Sequence, residues 1–450
     1  METIHLYHTN DFHSHLEHWP RIQQFLLQKK QLHQQQGEDV FLFDIGDFID
    51  RWHPYTEATK GKGNIPLLNE CQFTAAAIGN NEGVNLPFDD LDQLYSDAEF
   101  DVLAANFYYQ NGSYPQWVKP YKIYQTQKGT RLGVIGLTAP FTHLYDLLGW
   151  RLTDPISELK KWLEPLEKES DFIILLSHLG IHDDERIAAA FPEIDVILGA
   201  HTHHFFEKGE LVGSTLLGAA GKYGFYVGKM TIHLNEQKAV TRKEALLYDF
   251  NDLPIVPNEQ EQIIAFLNKG KDLLSHKVTT LSEPLLHHPF QETNFSRLLS
   301  KTLREWCQAD CAMINAGLLL GTLSEEVTTY DLLEVCPHPI NPCVVKLTGK
   351  ELLEILSQTM DESLHHRQIK GLGFRGTVLG IFVYDGICFE KNKIFIQGSE
   401  LKLDSNYTLA LPDMFTFGHF FTEVLPQKQK NYFLPEFLRD LLKWKLEMPT

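Results

Sequence analysis

Asp11, His13, Asp47, Asn80, His178, His201 and His203 are the residues of this 450-residue chain whose types and placement could do chemistry together. Each stands at the polar end of an apolar run: IHLYHTNDFH, VFLFDIGD, AAIGNNEG, DFIILLSH and DVILGAHTH. Imidazoles, carboxylates and an amide in this number suffice for a pair of divalent metals. Asp47 closes a very apolar run, where an unpaired carboxylate is costly and a bridge between two cations would relieve the cost. Asp11-x-His13 and His201-x-His203 put ligands on alternate residues, and the strand period of two brings alternate side chains to one side. On that geometry His201 and His203 are placed to serve different ions. A lone Asp-x-His or His-x-His is ordinarily a surface turn or a satisfied core histidine. The recurrence of such groups at successive strand ends points to a shared site.

The elements that must position these residues follow from the apolar pattern. Hydrophobic stretches of four to six residues bounded by polar turns read as buried strands. In open α/β sheets, ligands sit beyond the carboxyl ends of the strands. Up to about residue 250 strands and helices alternate, as in an α/β layered domain. Helices are expected at PRIQQFLLQKKQLHQQQ, at PLLNECQFTAAA leading into GNNEG, at PISELKKWLEPLEKES and at DERIAAAF, while STLLGAAGKYGFYVGKMTIHL reads as two or more strands. Prolines and polar residues in NDLPIVPNEQ mark a break. The chain thus divides into a first domain over 1–255, a connecting helix over 256–276 and a second domain over 277–450. The second domain reads as α+β. ETNFSRLLSKTLREWC has helical spacing, VVKLTGKELLEILSQTM is strand followed by helix with Thr348 and Glu351 spaced as a capping box, and short strands precede a closing helix.

Composition limits the partners. The net charge of −19 argues against nucleic acid and anionic membrane, because no basic field would neutralise phosphates. A small phosphorylated substrate remains compatible, since bound metals reverse the local potential. The start of the chain shows no signal-peptide pattern and no apolar stretch reaches membrane length, so a cytoplasmic location is expected. Cys71, Cys307, Cys311, Cys336, Cys343 and Cys388 have no metal-site spacing and are expected to be free thiols.

HTNDFHSH, FDIGDFID, GNNEG, LSHLG and GAHTH resemble the signature blocks of the calcineurin-like metallophosphoesterases, and more narrowly the bacterial 5′-nucleotidase/UDP-sugar hydrolase family. MINAGLLLGTL, TTYDLLEVCPHPINPCVVKLTGKELLEIL and LALPDMFTFGHFF are similar to that family's C-terminal domain. The resemblance implies a four-layer α/β/β/α metallophosphoesterase domain followed by an α+β 5′-nucleotidase-type domain. It implies one metal on Asp11, His13, Asp47 and His203 and a second on Asp47, Asn80, His178 and His201, with Asp47 bridging. It also implies hydrolysis of phosphate esters or anhydrides of nucleotides or related small molecules by a metal-bound hydroxide. The mixed nitrogen and oxygen donors suit Mn²⁺, Zn²⁺, Fe²⁺ or Co²⁺ without choosing among them.

The chain departs from the family pattern in two places. The family's GNHE, whose His is assisted by a following Asp, appears as GNNEGVN, with Asn81 at the His position and Val84 at the Asp position. A general acid contributes about 10²–10⁴-fold. Asn81 can donate a hydrogen bond to a phosphoryl oxygen but cannot deliver a proton, so together with Asp47 it is the catalytic candidate. His182 is either a substitute acid or an exposed residue in an acidic turn. In the second domain NGGGIR appears as NAGLLL, with Leu320 where an arginine is expected. Arg375 is the candidate replacement, and Phe374 and Phe420 fall near the aromatic clamp, as substrate-binding or core residues. The missing dyad favours substrates whose leaving group needs little protonation. It also leaves open a catalytically weak nucleotide-binding or regulatory protein with the same metal centre. A nuclease is disfavoured by the acidic charge.

Overall fold

In the computed structural model, which describes residues 1–391 and 393–448, the chain forms two compact units, Met1–Gly270 and Lys271 onward. The first is built on two sheets. One runs in the order Val240–Asp249, Tyr226–Leu234, Glu2–Thr9, Asp39–Asp44, Ala75–Ala77, Asp101–Leu103, Val118–Lys119. The other runs Glu210–Val212, Thr215–Gly218, Val196–Gly199, Phe172–His178, Arg131–Thr138, Tyr121–Gln125. Leu6, Phe43, Val134, Ile174, Leu176 and Leu198 are fully buried in a single cluster between the sheets. Burial on both faces explains why the parallel strands read as continuous apolar runs rather than alternating ones.

Helices cover the outer faces and complete the α/β/β/α layering. Pro155–Glu169 turns Leu159, Leu163 and Leu166 onto Ile135, Ile173 and Leu175 of the second sheet. The Asp154 side chain caps this helix, accepting from the Ser157 N–H at 2.7 Å. Trp19–Gln35 places Pro20 in its first turn and buries Ile22, Phe25 and Leu26.

One expected helix is shorter than its sequence suggests. PLLNECQFTAAA is helical only over Ile65–Cys71, and Ala75–Ala77 is a strand paired with both Asp39–Asp44 and Asp101–Leu103. Gln72 takes a left-handed conformation (φ 55°) and ends the helix. The alanines then enter the sheet, where tertiary packing overrides their helical propensity. The segment STLLGAAGKYGFYVGKMTIHL does give two strands, Thr215–Gly218 and Tyr226–Leu234, but they belong to different sheets.

The helix Glu259–Leu273 contains the boundary between the units. The second unit is α+β, around a mixed sheet ordered Phe382–Asp385, Cys311–Asn315, Asn406–Pro412, Pro342–Thr348, Lys430–Tyr432. The helix Asn294–Cys307 buries Phe295, Leu299 and Leu303 in its core. Thr348 and Glu351 form the expected capping box: the Thr348 N–H donates to Glu351 Oε2 at 2.9 Å and the Glu351 N–H to Thr348 Oγ1 at 3.3 Å. All six cysteines are free. Among the described residues no helix is long and apolar enough to cross a membrane.

Candidate metal centre

Asp11 and His13 follow the strand Glu2–Thr9, Asp47 follows Asp39–Asp44, and Asn80 follows Ala75–Ala77. His178 is the last residue of Phe172–His178, and His201 and His203 follow Val196–Gly199. The first three strands are parallel neighbours in one sheet, and the last two in the other. Their carboxyl ends therefore meet at one rim of the first unit.

The seven side chains do gather there, though not by strand alternation. Asp11, His13, Asp47, His201 and His203 have φ of 48°, 50°, 53°, 72° and 56°. These left-handed conformations cost non-glycine residues on the order of 1 kcal/mol or more each. They turn the chain sharply just beyond the strands and aim the side chains at a common centre. The Asp-x-His and His-x-His spacing works because alternate residues are left-handed, not because the backbone is extended.

Donor atoms crowd within bonding range of shared points. His13 Nε2 lies 3.2 Å from His203 Nε2 and 3.7 Å from Asp47 Oδ2, and His203 Nε2 lies 3.5 Å from Asp11 Oδ1. On the other side His178 Nε2 lies 3.5 Å from Asp47 Oδ1 and 3.3 Å from Asn80 Oδ1, and His201 Nδ1 lies 2.8 Å from Asn80 Oδ1. The far ring nitrogens are engaged outward. His178 Nδ1 donates to the Ile45 carbonyl at 2.7 Å, and His13 Nδ1 faces Asp50 Oδ2 at 3.2 Å. In these two residues the arrangement turns Nε2 inward, as an outward hydrogen bond does for a metal-ligating imidazole, whereas His201 presents Nδ1.

The carboxylates are braced as well. Asn81 clamps Asp47, its backbone N–H donating to Oδ1 and its side-chain amide to Oδ2, both at 2.7 Å. The Asn81 side-chain oxygen Oδ1 in turn accepts from Asn85 Nδ2 at 2.5 Å. Glu82 accepts from the backbone N–H groups of Asp47, Gly79 and Ile49 at 2.9–3.1 Å, tying the two loops together. Asn10 donates to Asp11 Oδ2 at 2.8 Å and to the Gly221 carbonyl at 2.7 Å. A Cβ on Gly79 would lie 2.0 Å from Asp47 Oδ1, so the loops touch with no room for a methyl group.

Electrostatics fit a cation. Asp11, Asp47 and His178 are essentially inaccessible to solvent. Burial, with Asp47 adding to it, pushes the Asp11 carboxyl up to about 6. Burial opposes charge on His178, but the Asp47 and Asp11 carboxylates outweigh it and raise that imidazole to about 10. Asp47 is held well below the usual carboxylate range against its burial, by His178 and His13. The buried carboxylates thus call for a positive counter-charge, a role that divalent ions would fill with the same donors. The residues present fit such ions.

The braces Glu82, Asp50 and Asn10 lie within the blocks GNNEG, FDIGDFID and HTNDFH but have no apolar-run signature of their own. His182 is 93% exposed and faces Glu185, as an exposed residue of an acidic turn would. In the second unit Phe374 is buried, with its ring stacked on His338 at 4.9 Å. Phe420 is half-buried, with the Arg367 guanidinium 5.3 Å from its ring centre. The Arg375 backbone N–H donates to His338 Nδ1 at 2.9 Å, and Leu320, at the expected arginine position, is exposed.

Comparison with known proteins agrees with this architecture. The calcineurin-like phosphoesterase profile matches residues 4–205, and the 5′-nucleotidase C-terminal domain profile matches residues 277–420. The uncharacterized metallophosphoesterase YunD of Bacillus subtilis is 42% identical over 99% of both chains. A 5′-nucleotidase of Vibrio cholerae is 24% identical over 84% of this chain and 76% of its own. The NAD nucleotidase of Haemophilus influenzae shares the fold with a TM-score of 0.67, at 15% identity, over 99% of this chain and 96% of that one. The chain belongs to the calcineurin-like metallophosphoesterases of the 5′-nucleotidase type and is a metal-dependent phosphoester hydrolase.

Proposed function

We propose that the protein hydrolyses phosphate esters or anhydrides of nucleotides or related small phosphorylated molecules with two divalent ions. Asp11, His13, Asp47 and His203 hold one ion, Asp47, Asn80, His178 and His201 the other, and Asp47 is shared. The observation that carries this reading is the position of the Asp47 carboxylate, 3.5 Å from His178 on one side and 3.7 Å from His13 on the other. When bound, such ions polarise phosphoryl oxygens and activate water at neutral pH. Mn²⁺, Zn²⁺, Fe²⁺ and Co²⁺ all suit the donor set.

The chain's own residues orient this centre. The outward hydrogen bonds of His13 and His178 fix which nitrogen faces inward. Asn81 holds both oxygens of Asp47 in place. That clamp, with His13 Nδ1 3.3 Å from the same amide nitrogen, makes Asn81 a positioning residue first. Neither Asn81 nor Val84 can protonate a departing oxygen. The favoured substrates are therefore those whose leaving group departs without a proton: pyrophosphates, cyclic phosphodiesters and activated esters. In the second unit, Arg375 and Phe420 remain the substrate-binding candidates, whereas Phe374 commits a ring face to His338. Six free thiols, five of them buried, suit a reducing cytoplasm. The acidic chain suits a small-molecule partner rather than nucleic acid or membrane.

The test is the rate of Mn²⁺-dependent hydrolysis across esters of graded leaving-group pKa. A steep dependence is expected, and a flat one would show that another residue donates the proton. The commitment of Asn81 to Asp47 also favours a second reading, in which nucleotide is bound without turnover. Saturable binding with no hydrolysis of an activated aryl phosphate would select it.

A further inference from the structure

The loop between Thr215–Gly218 and Tyr226–Leu234 crosses from one sheet to the other along the rim that holds the metal-centre residues. It is pinned there from two sides. The Tyr223 N–H donates to the Asp11 carbonyl at 2.7 Å, and His18 Nδ1 donates to the Tyr223 carbonyl at 2.6 Å. Tyr223 has a left-handed backbone (φ 61°), as do the candidate ligands on the adjoining turns. Its ring centre lies 4.0 Å from that of His15, 5.7 Å from that of His13 and 6.3 Å from that of His203. Over this ring, 4.5 Å from its centre, sits the Lys222 ammonium.

What sets Lys222 apart from the other lysines that rest on aromatic rings is its place beside the candidate ligands, through the Tyr223 ring. Acidic residues outnumber basic ones in the chain, 59 to 40, yet no carboxylate pairs with Lys222 among the described residues. A cation resting on an aromatic face keeps its N–H donors available, because the ring attracts charge without accepting three hydrogen bonds. One aromatic ring out from the His13–His203 pair, the protein therefore presents a positioned, unpaired positive charge. The candidate ligands meet the phosphoryl group being transferred, so this charge is left for what lies beyond it.

We propose that Lys222, held on Tyr223, binds the second phosphate of the substrate, the one that departs with the leaving group, and so selects phosphoanhydrides and other doubly phosphorylated molecules over simple monoesters. This rests on the hydrolase reading above. Charge donated to a leaving phosphate does part of what protonation by the missing imidazole would do, since the departing oxygen is already stabilised as an anion.

The experiment uses the full chain loaded with Mn²⁺ and two probes: methylenediphosphonate, which cannot be hydrolysed, and inorganic phosphate. Calorimetry on the wild type, Lys222→Gln and Lys222→Arg reads affinity without turnover, and melting temperatures confirm that the variants fold. Lys222→Gln should weaken methylenediphosphonate roughly tenfold to a hundredfold, the usual range for a charge-assisted hydrogen bond. It should leave phosphate nearly unchanged, and Lys222→Arg should restore most of the loss. Equal losses for both probes, or none for either, overturn the proposal. In parallel, kcat/KM for a nucleoside diphosphate should fall in Lys222→Gln while that for an aryl monophosphate holds. A wild type that turns over neither would sink the hydrolase reading, yet the binding measurement would still judge Lys222.

Discussion

His5, His33 and Glu38 gather toward the start of the strand Glu2–Thr9, and Asp11, His13 and His203 gather beyond its end. Both groups are two imidazoles and a carboxylate with ligand atoms close enough for one ion. Near the start, every ring nitrogen has a partner within the protein. His5 Nε2 and His33 Nδ1 both reach Glu38 Oε2, at 2.8 and 3.2 Å, while His33 Nε2 meets the Tyr7 hydroxyl at 3.0 Å and His5 Nδ1 the Thr231 hydroxyl at 3.5 Å. The rings stack at 3.6 Å, His5 lies in a regular strand and His33 in a regular helix. Beyond the strand's end the backbone is left-handed, and two imidazole nitrogens face each other at 3.2 Å, which only a proton or a cation between them can reconcile. Donor type alone does not make a metal centre. Uncommitted lone pairs on a strained backbone distinguish one group from the other.

The strongest test of this contrast is Asp47→Ala. It should abolish occupancy of both ions, measured by metal analysis after dialysis, and lower activity by more than about 10³-fold, since a shared ligand is lost. A third ion that survives Asp47→Ala and disappears with Glu38→Gln would break the comparison. Next, Asn81→Ala should lower Mn²⁺ affinity by about 10- to 100-fold, the usual effect of removing a group that orients a ligand. An unchanged affinity would mean that the clamp on Asp47 is incidental.

The group near the strand's start should act on stability instead. Burial holds His5 down to about 4 and keeps His33 below the ordinary imidazole range. Between pH 6.5 and about 4 the unfolded chain then binds protons that the fold refuses. Stability should fall as pH drops through that window, by up to about 2 kcal/mol, and His5→Gln should flatten the slope in denaturant titrations. Glu38→Gln should have the smallest effect, about 1 kcal/mol of stability with activity within about twofold of wild type. A large loss of activity would join the two ends functionally and undo the distinction.

The candidate ligands are legible in the sequence because each closes an apolar run. A polar group that stops a parallel strand buried on both faces is costly unless something there pairs with it. The geometry that makes these groups converge is not legible. Left-handed φ at Asp11, His13, Asp47, His201 and His203 has only a weak signature in residue type: Asp and His tolerate such backbone better than most, but the surrounding packing decides which of them adopt it. Residue type suits Asn81 to a phosphoryl oxygen, but its amide is turned back onto Asp47 by a loop contact that only the fold creates. The strand Ala75–Ala77 is hidden because alanine favours helix until a sheet claims it. Phe374 fits clamp or core equally well by type, and its stacking on His338 depends on two segments far apart in the chain.

Gly79 has an ordinary extended backbone, with φ of −91° and ψ of 175°, so any amino acid could adopt its conformation. What forbids a replacement is that Asp47 already fills the space where a side chain would begin. The enzyme's reactive heart therefore depends on a residue that contributes nothing but emptiness. A change as mild as alanine there would dislodge the pivotal acid as surely as deleting it, and leave every reactive group still present in the chain.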